Sequence, residues 1–102
     1  MKKNKEKIPY AIRARYGDLF EPEAELDFHF FGELTDYDIE VNLSNFIEDS
    51  YSQGKSSLLV ITGKGRRVKP LVQKLLKQSK LVKSFKSAGY FHGQDGAFEV
   101  YL

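Results

Sequence analysis

The amino-acid sequence predicts an α/β fold in which two helices pack on a sheet with some parallel strand pairing. Segments with the two-residue period of a strand alternate with segments of helical period, which gives the order β-α-β-α-β-β over residues 24–102. Two β-α units in succession favour parallel pairing with helices laid on the sheet. The run Leu58–Ile61 is apolar throughout, as expected of a central strand buried on both faces.

The first half of this pattern is a strand over residues 24–30 followed by a helix. Three apolar residues of the strand share the face directed into the core: Leu26, Phe28 and Phe30. The opposite face carries Glu25, Asp27 and His29. The helix begins near Thr35, because Thr35 and Asp38 have the spacing of a capping box, and Gly54 ends it.

The second half begins with the buried strand, residues 57–62, and the turn Gly63-Lys64-Gly65. A second helix runs from about residue 68 to residue 79. It must begin close to Pro70, because proline is tolerated only in the first turn of a helix. A third strand over residues 80–87 and a fourth over residues 97–102 flank a glycine-rich turn.

Charge is segregated along the chain although the net charge is only +2. Residues 17–54 hold eleven Asp or Glu and no Lys or Arg, whereas residues 50–94 hold ten Lys or Arg and no Asp or Glu. Residues 1–16 add six basic residues. A fold that gathers the basic residues would present a positive face to a polyanion. The alternative is a bipolar surface whose two halves pair with each other.

Composition excludes several classes of protein. The 102 residues make one domain, and the lack of cysteine excludes disulfides, thiolate zinc sites and a cysteine nucleophile. A cysteine-free chain without a long apolar run fits a cytoplasmic protein that does not enter a membrane, since a membrane span needs ~20 apolar residues. Residues 1–23 are predicted to be a basic tail and an irregular leader, without the apolar segment of a secretory signal.

Asp27 and His29 form the first candidate site. Residues two apart on a strand emerge on the same face ~7 Å apart. An imidazole can transfer a proton near neutral pH, and Asp27 could orient it or stabilise its charged form. One carboxylate and one imidazole are few ligands for a metal site, so no cofactor is predicted, although a divalent ion such as Mg²⁺ stays open. The alternative is an ordinary solvated strand face.

The turn from Thr62 to Gly65 forms the second candidate site. Glycines let a backbone approach a ligand closely, and the following helix N-terminus favours an anion. Lys64 would stabilise a phosphate electrostatically, with further positive charge from Arg66, Arg67 and Lys69. The alternative is a plain glycine turn whose basic side chains lie in water.

Three short motifs together resemble the Smr (small MutS-related) domain family. They are Leu26-Asp27-Phe28-His29, Thr62-Gly63-Lys64-Gly65 and Gly93-Gln94-Asp95-Gly96. The resemblance covers residues 24–102. It implies a two-layer α/β sandwich with a four-stranded mixed sheet, similar to the C-terminal domain of translation initiation factor 3. It also implies an endonuclease that acts on nucleic acid, with RNA favoured over DNA, in some members at the ribosome. The family's glycine directly after the histidine is displaced here by Phe30 and Phe31.

The resemblance favours a catalytic role for Asp27 and His29 over a solvated strand face, and the chemistry of the turn 62–65 and its basic neighbours predicts the other roles. Asp27, His29 and Lys64 are the predicted catalytic residues, and no metal ligand is assigned. The predicted nucleic-acid contacts are Thr62, Gly63, Gly65, Arg66, Arg67 and Lys69. Two other classes stay open, namely a non-catalytic RNA- or DNA-binding module and a protein-interaction domain that docks on a ribosome or repair complex.

Overall fold

The computed structural model describes residues 21–28, 33–88 and 96–102. They form β1 (Ala24–Asp27), α1 (Asp36–Ser52), β2 (Ser57–Ile61), α2 (Val68–Gln78), β3 (Ser84–Ser87) and β4 (Ala97–Tyr101). The predicted order β-α-β-α-β-β is confirmed. The predicted basic tail and most of the leader, residues 1–20, lie outside the described residues. Within the described ranges, no helix has the length and apolar character needed to cross a membrane.

The four strands form one mixed sheet in the order β1-β2-β4-β3, which confirms the α/β fold class. β1 is parallel to β2, and β4 is antiparallel to both β2 and β3. The last strand of the sequence therefore lies inside the sheet, between β2 and β3.

All four strands are shorter than the sequence predicted. β2 and β4 each end one residue early, and the register explains the larger differences in β1 and β3. β1 ends at Asp27 rather than at residue 30, because Asp27 lies opposite Ile61, where β2 also ends. β3 begins at Ser84 rather than at residue 80, because Ser84 lies opposite Tyr101, the last residue of β4. In each case the partner strand ends, while the alternation of apolar and polar residues in the sequence continues beyond that point.

Both helices pack on one face of the sheet. The buried residues of this core come from the position directly after β1, from both helices, and from β2 and β4: Phe28, Ile39, Leu43, Ile47, Leu58, Val60, Val72, Leu76, Phe98 and Val100. The inward orientation predicted for Leu26 and Phe28 is confirmed, while Phe30 lies outside the described residues. Burial of these apolar side chains is the main stabilising term of the domain.

The opposite face of the sheet is also buried at its centre. Leu59 and Ala97 are 4% and 0% exposed, so β2 is buried on both faces as predicted. Glu99 lies on this face with its side chain 5% exposed. Its Oε1 accepts a hydrogen bond from the Tyr101 hydroxyl at 2.7 Å and lies 3.8 Å from Lys86 Nζ. A buried carboxylate requires such partners, because desolvation penalises an unpaired charge.

Both ends of α1 are closed by the residues that the sequence predicted. The Thr35 hydroxyl oxygen accepts from the Asp38 backbone N–H, and Asp38 Oδ2 accepts from the Thr35 N–H, each at 3.0 Å. These two bonds complete a capping box. At the other end Gly54 has φ of +78°, and Lys55 N–H donates to the Ser50 carbonyl at 2.9 Å. The Gly54 N–H donates to Tyr51, so the end is a Schellman motif.

Candidate nucleic-acid interface

The first two sequence motifs meet where the parallel strands β1 and β2 end. Asp27, the last residue of β1, lies opposite Ile61, the last residue of β2, and the turn 62–65 follows directly. Each of the two helices begins after one of these strands, so both helix N-termini lie at this edge of the sheet. We call it the carboxyl edge. In open α/β sheets ligands bind outside the carboxyl ends of the strands, so this is the position where a site is expected.

The third motif reaches the same edge through Gly96, which precedes β4. The Gly96 carbonyl accepts from the backbone N–H groups of Thr62 at 2.8 Å and of Gly63 at 2.9 Å. The hydroxyl of Thr62, which is 4% exposed, donates to the Gly63 carbonyl at 2.7 Å. Two of the backbone donors predicted for a phosphate are therefore used inside the fold. Gly93, Gln94 and Asp95 lie outside the described residues.

Glycine occupies the two positions of the turn, 63 and 65, for different reasons. Gly63 has φ of +73°, a left-handed conformation that favours glycine. It also contacts Gly96 closely, since a Cβ added at Gly96 would lie 3.4 Å from Gly63 Cα. Gly65 has no left-handed φ, and a Cβ added there would meet no atom within 4 Å. The fold therefore requires Gly63 but not Gly65, whereas a ligand that approaches the backbone would favour glycine at 65.

The two helix N-termini at the carboxyl edge differ in their capping. α1 has its own side-chain cap and two acidic residues in its first turn, Asp36 and Asp38. The capping hydrogen bond from the Thr35 N–H lowers the pKa of the Asp38 carboxyl, which keeps negative charge there. α2 begins after Arg67 with no side-chain capping hydrogen bond and no acidic residue in its first turn. Only the N-terminus of α2 is therefore electrostatically suited to an anion.

The basic residues around the start of α2 have different surroundings. Arg67 Nη1 lies 2.6 Å from Asp36 Oδ1, and Arg67 Nη2 donates to the Leu34 carbonyl. Arg67 therefore joins the starts of the two helices, although its side chain is still 53% exposed. Lys64 and Arg66 are exposed, and Lys69 is half-buried. The sequence predicted Arg67 as a nucleic-acid contact, and the structure shows that it also has a role in holding the fold.

The catalytic residues predicted from the first motif are only partly visible. Asp27 is half-buried at the carboxyl edge and takes part in an interaction within the chain. His29 lies outside the described residues, so its pairing with Asp27 stays a prediction. Among the described residues there is no group of three or more His, Cys, Asp or Glu side chains placed to hold a metal ion.

Charge is also segregated across the folded domain. β1 lies at one edge of the sheet and contacts α1, and this half carries exposed acidic residues: Glu21, Glu25, Asp36, Glu40, Glu48 and Asp49. α2 and β3 carry the exposed basic residues of the other half, together with the loop that joins them: Lys74, Lys77, Lys80, Lys83 and Lys86. We call these the acidic half and the basic half. The carboxyl edge carries the ion pair between Asp36 and Arg67 that links them.

The Smr domain family matches residues 26–102 of the chain. The chain belongs to this family. The predicted resemblance is thus confirmed, and the match spans the sequence of all three motifs.

Relatives of this Smr domain include much larger proteins. Endonuclease MutS2 of Caldicellulosiruptor saccharolyticus is 30% identical over 98 residues, which cover 95% of this chain and 12% of that protein. The chain therefore spans only a small part of that relative. The crystal structure of the Smr domain of Thermus thermophilus MutS2 is 25% identical, with a TM-score of 0.67 over 80% of this chain and 98% of that one.

A second solved structure supports the fold alone. YdaL, a stand-alone small MutS-related protein from Escherichia coli, is 22% identical and has a TM-score of 0.69. The similarity covers 100% of this chain and 79% of the YdaL chain. The mixed four-stranded sheet with two helices is therefore the fold of Smr domains.

Proposed function

We propose that this Smr domain binds nucleic acid at the carboxyl edge and cleaves its phosphodiester backbone, with RNA favoured over DNA. The observation that carries the proposal is the convergence of Asp27, the turn 62–65 and the basic, uncapped N-terminus of α2 at one edge of the sheet. The names of the relatives support it, since MutS2 is an endonuclease by name. RNA presented by a ribosome is one form that such a substrate can take.

The phosphate is proposed to bind at the start of α2. The helix leaves the N–H groups of Val68 and Lys69 without intrahelical acceptors, and Pro70 has no N–H to contribute. These donors, the helix dipole and the exposed Lys64 and Arg66 together favour a phosphate that is bound by backbone N–H groups and by basic side chains. Gly65 allows the backbone to approach that anion, since its Cα faces open space.

The chemistry is proposed to combine proton transfer with charge stabilisation. His29 accepts the proton of the attacking water or 2′-hydroxyl as the new P–O bond forms, and the imidazolium returns that proton to the leaving oxygen as the old P–O bond breaks. Asp27 orients the imidazole and stabilises its charged form. Lys64 stabilises the charge that develops on the phosphate oxygens.

A non-catalytic binding module is the second candidate. The basic half supports it, because its five exposed lysines form a positive surface without Asp27 or His29. Such a module would keep its affinity for nucleic acid when either predicted catalytic residue is replaced.

The test is a paired measurement of affinity and single-turnover cleavage on labelled RNA, single-stranded DNA and supercoiled plasmid, with and without a chelator. We expect His29→Ala to lose about 10²- to 10⁴-fold in cleavage rate, the usual contribution of general acid–base catalysis, with binding nearly unchanged. A thermal melt of the same variant serves as the control for folding. Cleavage by His29→Ala at the parent rate would exclude His29 as the proton-transfer group and favour the binding module.

A further inference from the structure

Two large hydrophobic side chains are exposed among the described residues, and both are tyrosines of α1. Tyr37 is 73% exposed and Tyr51 is 56% exposed. Tyr37 lies in the first turn of the helix, next to Asp36, and Tyr51 lies in the last turn. The 14 positions between them correspond to about 21 Å along the helix axis. Only Tyr37 therefore lies near the carboxyl edge.

Tyr37 lies on the flank of α1 that faces α2. Residues spaced by three or four positions share one side of a helix, and Tyr37 begins such a row. Its next members, Glu40, Ser44 and Glu48, line the groove between α1 and the C-terminal part of α2. Tyr37 stands at the other end of this row, where the ion pair of Asp36 with Arg67 joins the helix starts.

The charges around Tyr37 determine what can contact its ring. Asp38 and Glu40 flank it on the acidic half, so the phosphates of a polyanion are repelled from this side. Lys64 and Arg66 lie at the start of the neighbouring helix and attract phosphates. A nucleotide placed with its phosphate on the α2 side would direct its uncharged base towards α1, where an aromatic ring is exposed.

We infer that Tyr37 is a stacking platform for an unpaired base, so that the substrate of this Smr domain is single-stranded nucleic acid. The inference rests on the proposed binding of nucleic acid at the carboxyl edge. Proteins that hold single strands without reading their sequence combine basic residues that follow the phosphate backbone with exposed aromatic rings on which the bases stack. A base inside a duplex is already stacked on both sides and cannot present its face to the ring.

The experiment compares affinities for three labelled RNA oligonucleotides of equal length at one salt concentration. The first is single-stranded, the second is the same strand with abasic positions, and the third is a blunt duplex. The variants are Tyr37→Ala, Tyr37→Phe and, as the matched control, Tyr51→Ala, which removes an exposed tyrosine from the same helix.

We expect Tyr37→Ala to weaken single-strand binding by about 5- to 150-fold, the range that one base–aromatic stack provides. Tyr37→Phe and Tyr51→Ala should bind like the parent, and Tyr37→Ala should leave affinity for the abasic strand unchanged. Equal affinity of Tyr37→Ala and the parent for the intact strand overturns the inference alone. An equal loss on the abasic strand also overturns it. If the parent binds none of the three oligonucleotides, the proposed function is overturned as well.

Discussion

The N-termini of α1 and α2 lie at the same edge of the same sheet, yet the residues around them carry opposite charge. α1 satisfies its first backbone donors with its own capping box and adds carboxylates. α2 has no side-chain cap and is surrounded by Lys64, Arg66 and Lys69. Both helices have a dipole of the same sign, so the dipole alone does not define a site. The residues at the cap decide which helix end can accept a phosphate.

Reversal of charge at the start of α2 should have the largest effect on this contrast. We expect the double variant Lys64→Glu/Arg66→Glu to lose at least about tenfold in affinity for RNA. The slope of log affinity against log salt should decrease by about 2, because each lost phosphate contact removes about one unit. The measurement is a salt titration of the dissociation constant.

The control for this prediction is the double variant Lys55→Glu/Lys80→Glu. It changes the net charge equally but acts at the opposite edge of the sheet, before β2 and after α2. An equal loss of affinity in both double variants would mean that binding does not depend specifically on the start of α2.

The two glycines before α2 should separate stability from binding. We expect Gly63→Ala to lower the free energy of unfolding by about 1–2 kcal/mol, the cost of a left-handed conformation for a residue with a Cβ. Gly65→Ala should melt at or slightly above the parent temperature, because the added methyl meets no atom and restricts the unfolded chain.

Affinity for RNA, unlike stability, should be sensitive to the glycine at position 65. Gly65→Ala should bind RNA more weakly than the parent while it remains fully folded, if a phosphate approaches the backbone at this position. Parent-like affinity of Gly65→Ala would show that the ligand stays away from the turn.

The cap of α1 should give a smaller, pH-dependent effect that α2 lacks. The pKa of Asp38 in the folded state is lowered below its ordinary value of 3.8 by the hydrogen bond from the Thr35 N–H. The cap therefore contributes stability above that ordinary value, and the contribution is lost as the pH falls through the lower folded-state pKa. We expect Asp38→Asn to show a shallower loss of stability in this acidic range than the parent. Urea unfolding at neutral and acidic pH measures the difference, and parallel curves would contradict the prediction.

Local signals in the sequence predicted most of the fold. The capping box at Thr35, the glycine that ends α1 and the apolar run of β2 each depend on neighbours within a few residues, and all are confirmed. The lengths of β1 and β3 and the central place of β4 were not predictable in this way. They depend on where a partner strand ends, which is a property of the assembled sheet.

The candidate site also has features that local sequence signals predicted and features that depend on distant residues. The motifs identified the residues, and strand pairing confirms that Asp27 and the turn 62–65 lie at one edge. The contact of Gly63 with Gly96 and the ion pair of Asp36 with Arg67 join residues more than thirty positions apart, without a local signal. The arrangement of His29 beside Asp27 stays a prediction.

The central position of β4 has a consequence for how the chain folds. Residues 97–101 are the last of the four described strands to be synthesised, yet they separate β2 from β3 and pair with both. Until they arrive, β2 lacks its neighbour on one edge, and β3 lacks the strand with which it pairs in the part of the chain that the structure describes. Pairing over such sequence distances is slow, because the loop must close before the contacts form. A nascent chain that has completed only α2 therefore exposes an aggregation-prone strand edge until β4 closes the sheet.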